Sequence, residues 1–202
     1  SLKSLMASRD QSLNRMHLDY VDLFYGHRYD PNTPLEETLQ ALVDIVRQGK
    51  ALYVGISRWP LEALKIADKY LREHDVPLLI YQGRLNMLDH SPQDEGILDY
   101  CAEHCVGFIS FSPLAQGLLT DRYLNGIPED SRMAREHFLK HSMLTPELLA
   151  HLKDLNAQAE AQGKTLAEMA LGWILQQKGV TSVLVGASSP EQLLKNLKCI
   201  SE

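Results

Sequence analysis

The chain is 202 residues long, 45% hydrophobic, and carries a formal net charge of −6. That composition supports a buried core and excludes wholesale disorder, while the acidic balance argues against the clustered basic face that a nucleic-acid partner requires. No apolar run reaches the ~20 residues of a membrane-spanning helix, and the opening SLKSLMASRDQ is too polar for the core of a signal peptide.

Ser1–Met16 reads as a helix already under way with no initiator methionine, so the 202 residues are expected to be a fragment of a longer chain. A first strand, YVDLFY (Tyr20–Tyr25), runs into Gly26-His27-Arg28. The helix PLEETLQALVDIVRQGK follows, with Leu35, Leu39, Leu42, Val43 and Val46 on one stripe, Pro34 at its start and Gly49 at its end. Strand ALYVGIS (Ala51–Ser57), helix LEALKIADKYLREH, strand LLIYQ (Leu78–Gln82), helix ILDYCAEHC and strand VGFISFS (Val106–Ser112) repeat the scheme. The stretch Leu118–Pro146 breaks the rhythm. It is long, charged and turn-rich, as functional or mobile loops are. Helices PELLAHLKDLNAQAEAQ and TLAEMALGWILQQ then lead to a last strand, TSVLVGA (Thr181–Ala187).

Near-continuous apolarity in the strands, and helices between each pair, predict a parallel sheet covered on both faces. No Gly-x-Gly-x-x-Gly follows any strand, which disfavours a Rossmann sheet. Polar and glycine residues gather instead at strand C-terminal ends: His27, Ser57, Gln82, Ser112 and Gly186. Barrel enzymes place their sites there, so the expected fold is α/β, an arc of about five βα units of a (β/α)8 barrel forming a single domain over residues 1–202. Cys101, Cys105 and Cys199 contain no Cys-x-x-Cys pair, which favours unpaired thiols and a reducing, cytoplasmic setting. Two metal patterns, Cys101-His104-Cys105 and His137 with His141, are weaker than their alternatives: buried thiols beside an exposed histidine, and a solvated helix face. No metal is expected.

Five motifs, LDYVDLFYGHR, GKALYVGISRW, YQGRLN, FSPLAQGLLTDRY and VLVGASSPEQLLKN, resemble the aldo-keto reductases in order, spacing and context across essentially the whole chain. The likeness is nearest to the L-glyceraldehyde 3-phosphate reductase branch and extends to potassium channel β-subunits. It implies a (β/α)8 barrel that reduces small aldehydes and ketones with NADPH by hydride transfer. His27 then matches the histidine of an Asp/Tyr/Lys/His tetrad, donating a hydrogen bond to the substrate carbonyl oxygen. The alternative is a strand-end histidine bonded to backbone. Ser57 and Gln82 match residues holding the nicotinamide carboxamide, and Arg58 stands where asparagine is commoner. Trp59 either walls the substrate pocket or staples the helix beginning at Pro60. Asn86 follows Leu85, where the family often has tyrosine, and is not assigned as a direct ligand.

By the same resemblance Phe111 packs on the nicotinamide face, and the backbone around Ser112, Leu114 and Gly117 approaches the pyrophosphate, with Pro113 fixing the turn. Arg122 and Arg132 match basic positions that reach the phosphates. Gly186 opens the last motif, in which Ser188, Gln192 and Asn196 match the 2′-phosphate and adenine contacts. Ser188 and Ser189 are each equally readable as helix N-caps. Lys195 replaces a residue that is often acidic.

Ser1–Met16 resembles the helix before the family's fourth strand. The three earlier βα units, and with them the tetrad's aspartate, tyrosine and lysine, are absent from the 202 residues. The expectation is therefore a piece of a complete reductase, impaired on its own because general acid catalysis contributes roughly 10²–10⁴-fold. Its sheet edges at DLFY and SVLV are expected to be open. A nucleotide-binding regulatory module and an inactive remnant stay open as readings. The expected partners are a small carbonyl substrate and further copies of the chain, with no nucleic acid and no membrane.

Overall fold

The computed structural model describes residues 2–129, 131, 133–134 and 139–200. Helix α1 (Leu2–Met16) precedes strand β1 (Val21–Gly26), α2 (Leu35–Arg47), β2 (Ala51–Ser57), α3 (Leu61–Glu73), β3 (Leu78–Arg84), the single turn α4 (Ser91–Asp94), α5 (Ile97–Glu103) and β4 (Gly107–Phe111). Helices α6 (Pro146–Ala161) and α7 (Leu166–Leu175), strand β5 (Val180–Val183) and α8 (Pro190–Leu197) complete the order. The strands form one sheet in the order β1-β2-β3-β4-β5, so β1 and β5 are its edges. β1, β2 and β3 pair in parallel, with Val21 opposite Ala51, Gly26 opposite Ile56, and Ser57 opposite Gln82.

The helices leave the chain in a common way. At the end of α2 the Gly49 amide donates to the Val46 carbonyl (2.8 Å) and the Lys50 amide to Ile45 (3.0 Å), with Gly49 at φ +67. These are the two bonds of a Schellman cap, which needs a left-handed residue just past the helix. The same long bond closes α1 (Leu18 to Leu13, 3.1 Å), α3 (Val76 to Leu71, 2.9 Å), α5 (Val106 to Cys101, 2.9 Å) and α6 (Lys164 to Ala159, 3.0 Å). At three of these ends the left-handed residue is not glycine: His17, Asp75 and Cys105, at φ 55, 59 and 58. Cys105 is therefore a helix terminator on the surface, while Cys101 is buried in the core. Its left-handed backbone costs about 1 kcal/mol in a residue with a Cβ. Cys105→Gly is expected to stabilise the chain by roughly that amount, read as a higher urea midpoint with an unchanged slope.

The chain divides into two compact units, Ser1–Gly83 with Pro92–Ile109, and Arg84–Ser91 with Ser110–Glu202. In the first, α2 buries Leu39, Ala41, Leu42, Val43 and Ile45 completely. Ile45 takes the place expected of Val46, which is half-buried. Strand residues Val54, Ile56, Leu78, Tyr81 and Phe108 share this core with Leu64, Ala67, Leu71 and Cys101. In the second unit, Leu118, Leu119, Tyr123, Leu124, Met133 and Leu139 pack with Leu152 and Leu155 of α6 and Leu166 and Ala170 of α7. The described part of the segment expected to be a functional or mobile loop thus contributes six of the ten buried residues of a hydrophobic core. Its apolar residues follow neither a helical nor a strand period, which is why their burial was not visible as a pattern. His141 opens a short 3₁₀ turn, whereas His137 lies outside the described residues.

β5 stops four residues short of the predicted strand end. The Leu184 amide still donates to the Ser110 carbonyl (2.8 Å), but an edge strand has a ladder partner on one side only, and Leu184 and Val185 are exposed. Leu52, Tyr53 and Leu79 in the first unit and Leu193, Leu194 and Leu197 in the second are likewise exposed apolar residues. Among the described residues no helix is long and apolar enough to cross a membrane.

Candidate active site

In the first unit, sheet register alone aligns three of the predicted residues. Gly26 is opposite Ile56 and Ser57 is opposite Gln82. His27 and Ser57, each one residue further along its strand, therefore fall side by side, with Gln82 next in the row. Adjacent strands lie about 4.8 Å apart, so the row spans the C-terminal edge of β1, β2 and β3. His27 is exposed, Gln82 half-buried and Ser57 buried. The Arg58 amide donates to the Gln82 carbonyl (3.1 Å), and Arg58 turns the chain out of β2 in a left-handed conformation (φ 60).

That turn drops Trp59 into the core, where it is 2% exposed. The Tyr81 hydroxyl donates to the Trp59 carbonyl (2.6 Å), and Tyr29 meets the indole edge-on with centroids 5.9 Å apart. Burial pushes the Tyr81 phenol well above its usual range, so it remains a donor. A Cβ on Gly26 would stand 3.2 Å from the Trp59 ring. The glycine before His27 is thus where β1 passes close over the indole.

In the second unit the end of β4 carries a turn with unusual backbone. Ser112 (φ 51), Ala115 (φ 46), Gln116 (φ 61) and Gly117 (φ 104) are all left-handed. The Ala115 amide donates to the Ser112 carbonyl (3.0 Å), and the Gly117 and Leu119 amides to Leu114 (2.8 and 3.2 Å). Phe111 and Leu114 are half-buried and Pro113 is buried. The Thr120 hydroxyl accepts from the Arg122 amide (3.2 Å) and donates to the Gly117 carbonyl (2.6 Å), closing the turn, with the Arg122 side chain exposed. Arg132 lies outside the described residues.

Sequence reasoning left Asn86 without a role, and the structure gives it one. It is 1% exposed, its Nδ2 donates to the Ser112 carbonyl (3.0 Å), and its Oδ1 accepts from the Leu88 amide (2.9 Å). Nearby, Ser110 Oγ donates to the Leu85 carbonyl (2.7 Å). β3 runs two residues past the expected end at Gln82, to Arg84, so Asn86 stands in the turn just beyond the strand.

At α8, Ser189 is the N-cap, accepting from the Gln192 amide (3.2 Å). Ser188 instead donates through both its amide and hydroxyl to Gln192 Oε1 (2.7 and 2.9 Å). Gly186, Gln192 and Lys195 are exposed. Asn196 is 6% exposed, and its Nδ2 is buried without a hydrogen-bond partner. Among the described residues, no three His, Cys, Asp or Glu side chains converge as a metal site would require.

Parallel strands alternating with helices, with polar residues at the strand C-terminal ends, make this an arc of a (β/α) barrel. The profile of the Aldo/keto reductase family matches residues 1–202, and the chain belongs to that family. It is 51% identical over 205 aligned positions to the L-glyceraldehyde 3-phosphate reductases of Escherichia coli O157:H7 and of Escherichia coli strain K12. The match covers all of this chain and 59% of each relative, so the chain spans under two thirds of their length. A thermostable aldo-keto reductase crystallised with the inhibitor epalrestat superposes with a TM-score of 0.73 at 28% identity, over 99% of this chain and 61% of that one.

Proposed function

We propose that this chain carries the cofactor-holding arc of an NADPH-dependent carbonyl reductase acting on small aldehydes and ketones. The observation that carries the reading is the strand register that sets His27, Ser57 and Gln82 in one row, in a chain 51% identical to glyceraldehyde-phosphate reductases. Ser57 and Gln82 together offer a hydroxyl and a carboxamide, the donor and acceptor pair that a nicotinamide carboxamide needs. His27, exposed at the end of the row, donates to the carbonyl oxygen of the substrate and steadies the charge that develops there. NADPH supplies the hydride when bound.

Two orphan donors in the second unit fit such a cofactor. Among the described residues the Leu114 amide has no acceptor, and neither does the buried Asn196 Nδ2. Ser188 and Gln192 satisfy each other, so a 2′-phosphate would exchange with the Gln192 carbonyl at the Ser188 amide and hydroxyl. Arg122 and Lys195 add the positive charge. Of the family's tetrad the resemblance assigns the histidine, His27, to these residues, and NADPH binding is the primary expectation for the chain. A cytoplasmic setting belongs to the same reading, since all three cysteines are free.

Fluorescence of Trp59 and Trp173 during NADPH titration tests the reading, with glyceraldehyde 3-phosphate turnover followed at 340 nm. Saturable quenching by NADPH, at least ten times weaker with NADH, is expected. His27→Ala should leave that affinity within about twofold and abolish residual turnover. Absence of NADPH binding by the folded chain would overturn the proposal. Binding with no turnover under any condition would favour a regulatory nucleotide-binding module, the reading suggested by the Ser57-Arg58-Trp59 motif.

A further inference from the structure

Ser112 is held in a conformation it does not favour. Its φ of 51 is left-handed, unusual for a residue with a Cβ, and Pro113 follows it. The residue before a proline is driven towards extended backbone by the proline ring. Two unfavourable terms coincide, so the surroundings must impose the conformation. Two donors do so through one atom: the Ser112 carbonyl accepts from the Ala115 amide and from Asn86 Nδ2, both at 3.0 Å. The first bond is internal to the turn. The second is the anchor from elsewhere, 26 residues away in the chain.

The anchor is itself fixed at every polar atom. Asn86 Oδ1 accepts from the Leu88 amide, while its backbone exchanges two bonds with Asp89 (3.1 and 3.0 Å). Asp89 is gripped by the Arg84 guanidinium (2.6 Å) and by the Ser91 amide (3.1 Å) and hydroxyl. Burial works against the Asp89 charge, but these bonds hold its carboxyl below the usual range. Beyond Ser112, Leu114 (φ −99, ψ 19) is followed by left-handed Ala115. A right-handed then left-handed pair turns successive amides inwards to make an anion-holding concavity, and the unpaired Leu114 amide belongs to it.

We propose that Asn86 is a positioning residue for anion binding: it sets the Ser112 turn so that the unpaired Leu114 amide meets a pyrophosphate. This rests on the cofactor reading above and gives it a residue that touches no ligand. Asn86→Asp separates positioning from packing. The variant keeps the shape and the acceptor for Leu88 but loses the donor, so above its own pKa a carboxylate oxygen opposes the Ser112 carbonyl. When protonated, the carboxyl donates again. The other charged and titratable groups of this region, Arg84, Asp89 and His90 on its own segment and Asp121 and Arg122 beyond the turn, are common to both proteins, so the parent measured at each pH is the reference.

Asn86→Asp is expected to weaken NADP⁺ binding about 10–100-fold at pH 8, the effect of a lost buried hydrogen bond and a new repulsion. Most of the affinity should return at pH 5. Binding of 2′-AMP, which has no pyrophosphate, should stay within about twofold of the parent. Asn86→Ala should lose NADP⁺ affinity at both pH values. Amide hydrogen exchange over residues 114–119, measured without ligand, should quicken in Asn86→Asp at pH 8 relative to the parent and not at pH 5. Unchanged NADP⁺ affinity at pH 8, or equal losses for NADP⁺ and 2′-AMP at both pH values, would overturn the proposal. If the parent chain bound no NADP⁺, the cofactor reading would fall, and the exchange comparison would still decide whether Asn86 orders the turn.

Discussion

Phe108→Ala is expected to lower stability by about 3–5 kcal/mol, a large share of the 5–15 kcal/mol that holds a typical domain. Phe108 is fully buried and lies nearly parallel to the Tyr81 ring, with centroids 5.8 Å apart at 17°. On another side the ring faces a glycine. A Cβ on Gly83 would lie 2.7 and 2.8 Å from the Phe108 ring and 3.2 Å from Tyr81. The β3 glycine thus exists to admit the β4 aromatic. Gly83→Ala alone should cost about 1–3 kcal/mol by overpacking, whereas in the Phe108→Ala background it should cost almost nothing. Urea midpoints of the two single variants and the double variant measure this coupling. Additive losses would mean that Gly83 answers to something other than the ring.

The second large effect concerns a carboxylate on the helical side of the first unit. Asp68 has 2% of its side chain exposed and accepts from Arg72 Nε (2.8 Å) and the Tyr100 hydroxyl (3.1 Å), with His104 Nδ1 at 3.6 Å. Arg72 reaches on to the His104 carbonyl (2.6 Å), and Tyr100 stacks on His104 at 3.9 Å. Asp68 therefore joins α3 to α5. Asp68→Ala strips the acceptor from two donors and should cost about 2–3 kcal/mol, below the full value for a buried pair because Arg72 is 45% exposed.

The same cluster predicts how stability depends on pH. Burial first, and the Asp68 charge second, push Tyr100 from 10.0 and Cys101 from 9.0 up to about 12. At these two groups the folded chain keeps protons that the unfolded chain releases, as it does at the raised Tyr25, Tyr81 and Cys199, and stability falls as pH rises. The contribution is complete below pH 9 and is lost progressively up to about pH 12. Urea midpoints at pH 8 and pH 11 should differ in that direction. Asp68→Asn should narrow the difference by removing the charge that raises both groups. Equal midpoints in the parent protein would refute this account.

Much of the architecture is legible from short-range pattern. The stripe of α2 and the runs of apolar strand residues are local matters of periodicity. The strand-end series His27, Ser57 and Gln82 is legible for the same reason, because each residue closes an apolar run and parallel βα units place such ends together. Which serine caps α8 was not legible. Ser188 and Ser189 are chemically alike, and only the backbone path decides that Ser189 caps while Ser188 binds Gln192.

What tertiary structure alone decided are features that depend on residues far apart in the sequence or on backbone signs that side chains do not announce. Nothing in the letters marks Cys105 or Asp75 as left-handed, since glycine is the usual residue there and its absence conceals the cap. The burial of Leu118, Tyr123 and Leu139 needs α6 and α7 to be in place before it exists. Asn86 is the sharpest case. An asparagine beside a strand end can face solvent, a ligand or the backbone, and its amide meets Ser112 only because folding brings together two turns 26 residues apart. Sequence by itself determined the family and the alternating order of strands and helices, whereas β3 runs on past Gln82 to Arg84 and β5 ends at Val183, before Gly186. Tertiary structure decided which polar atoms hold the turns in shape, because such bonds are made across the fold and leave no period along the chain.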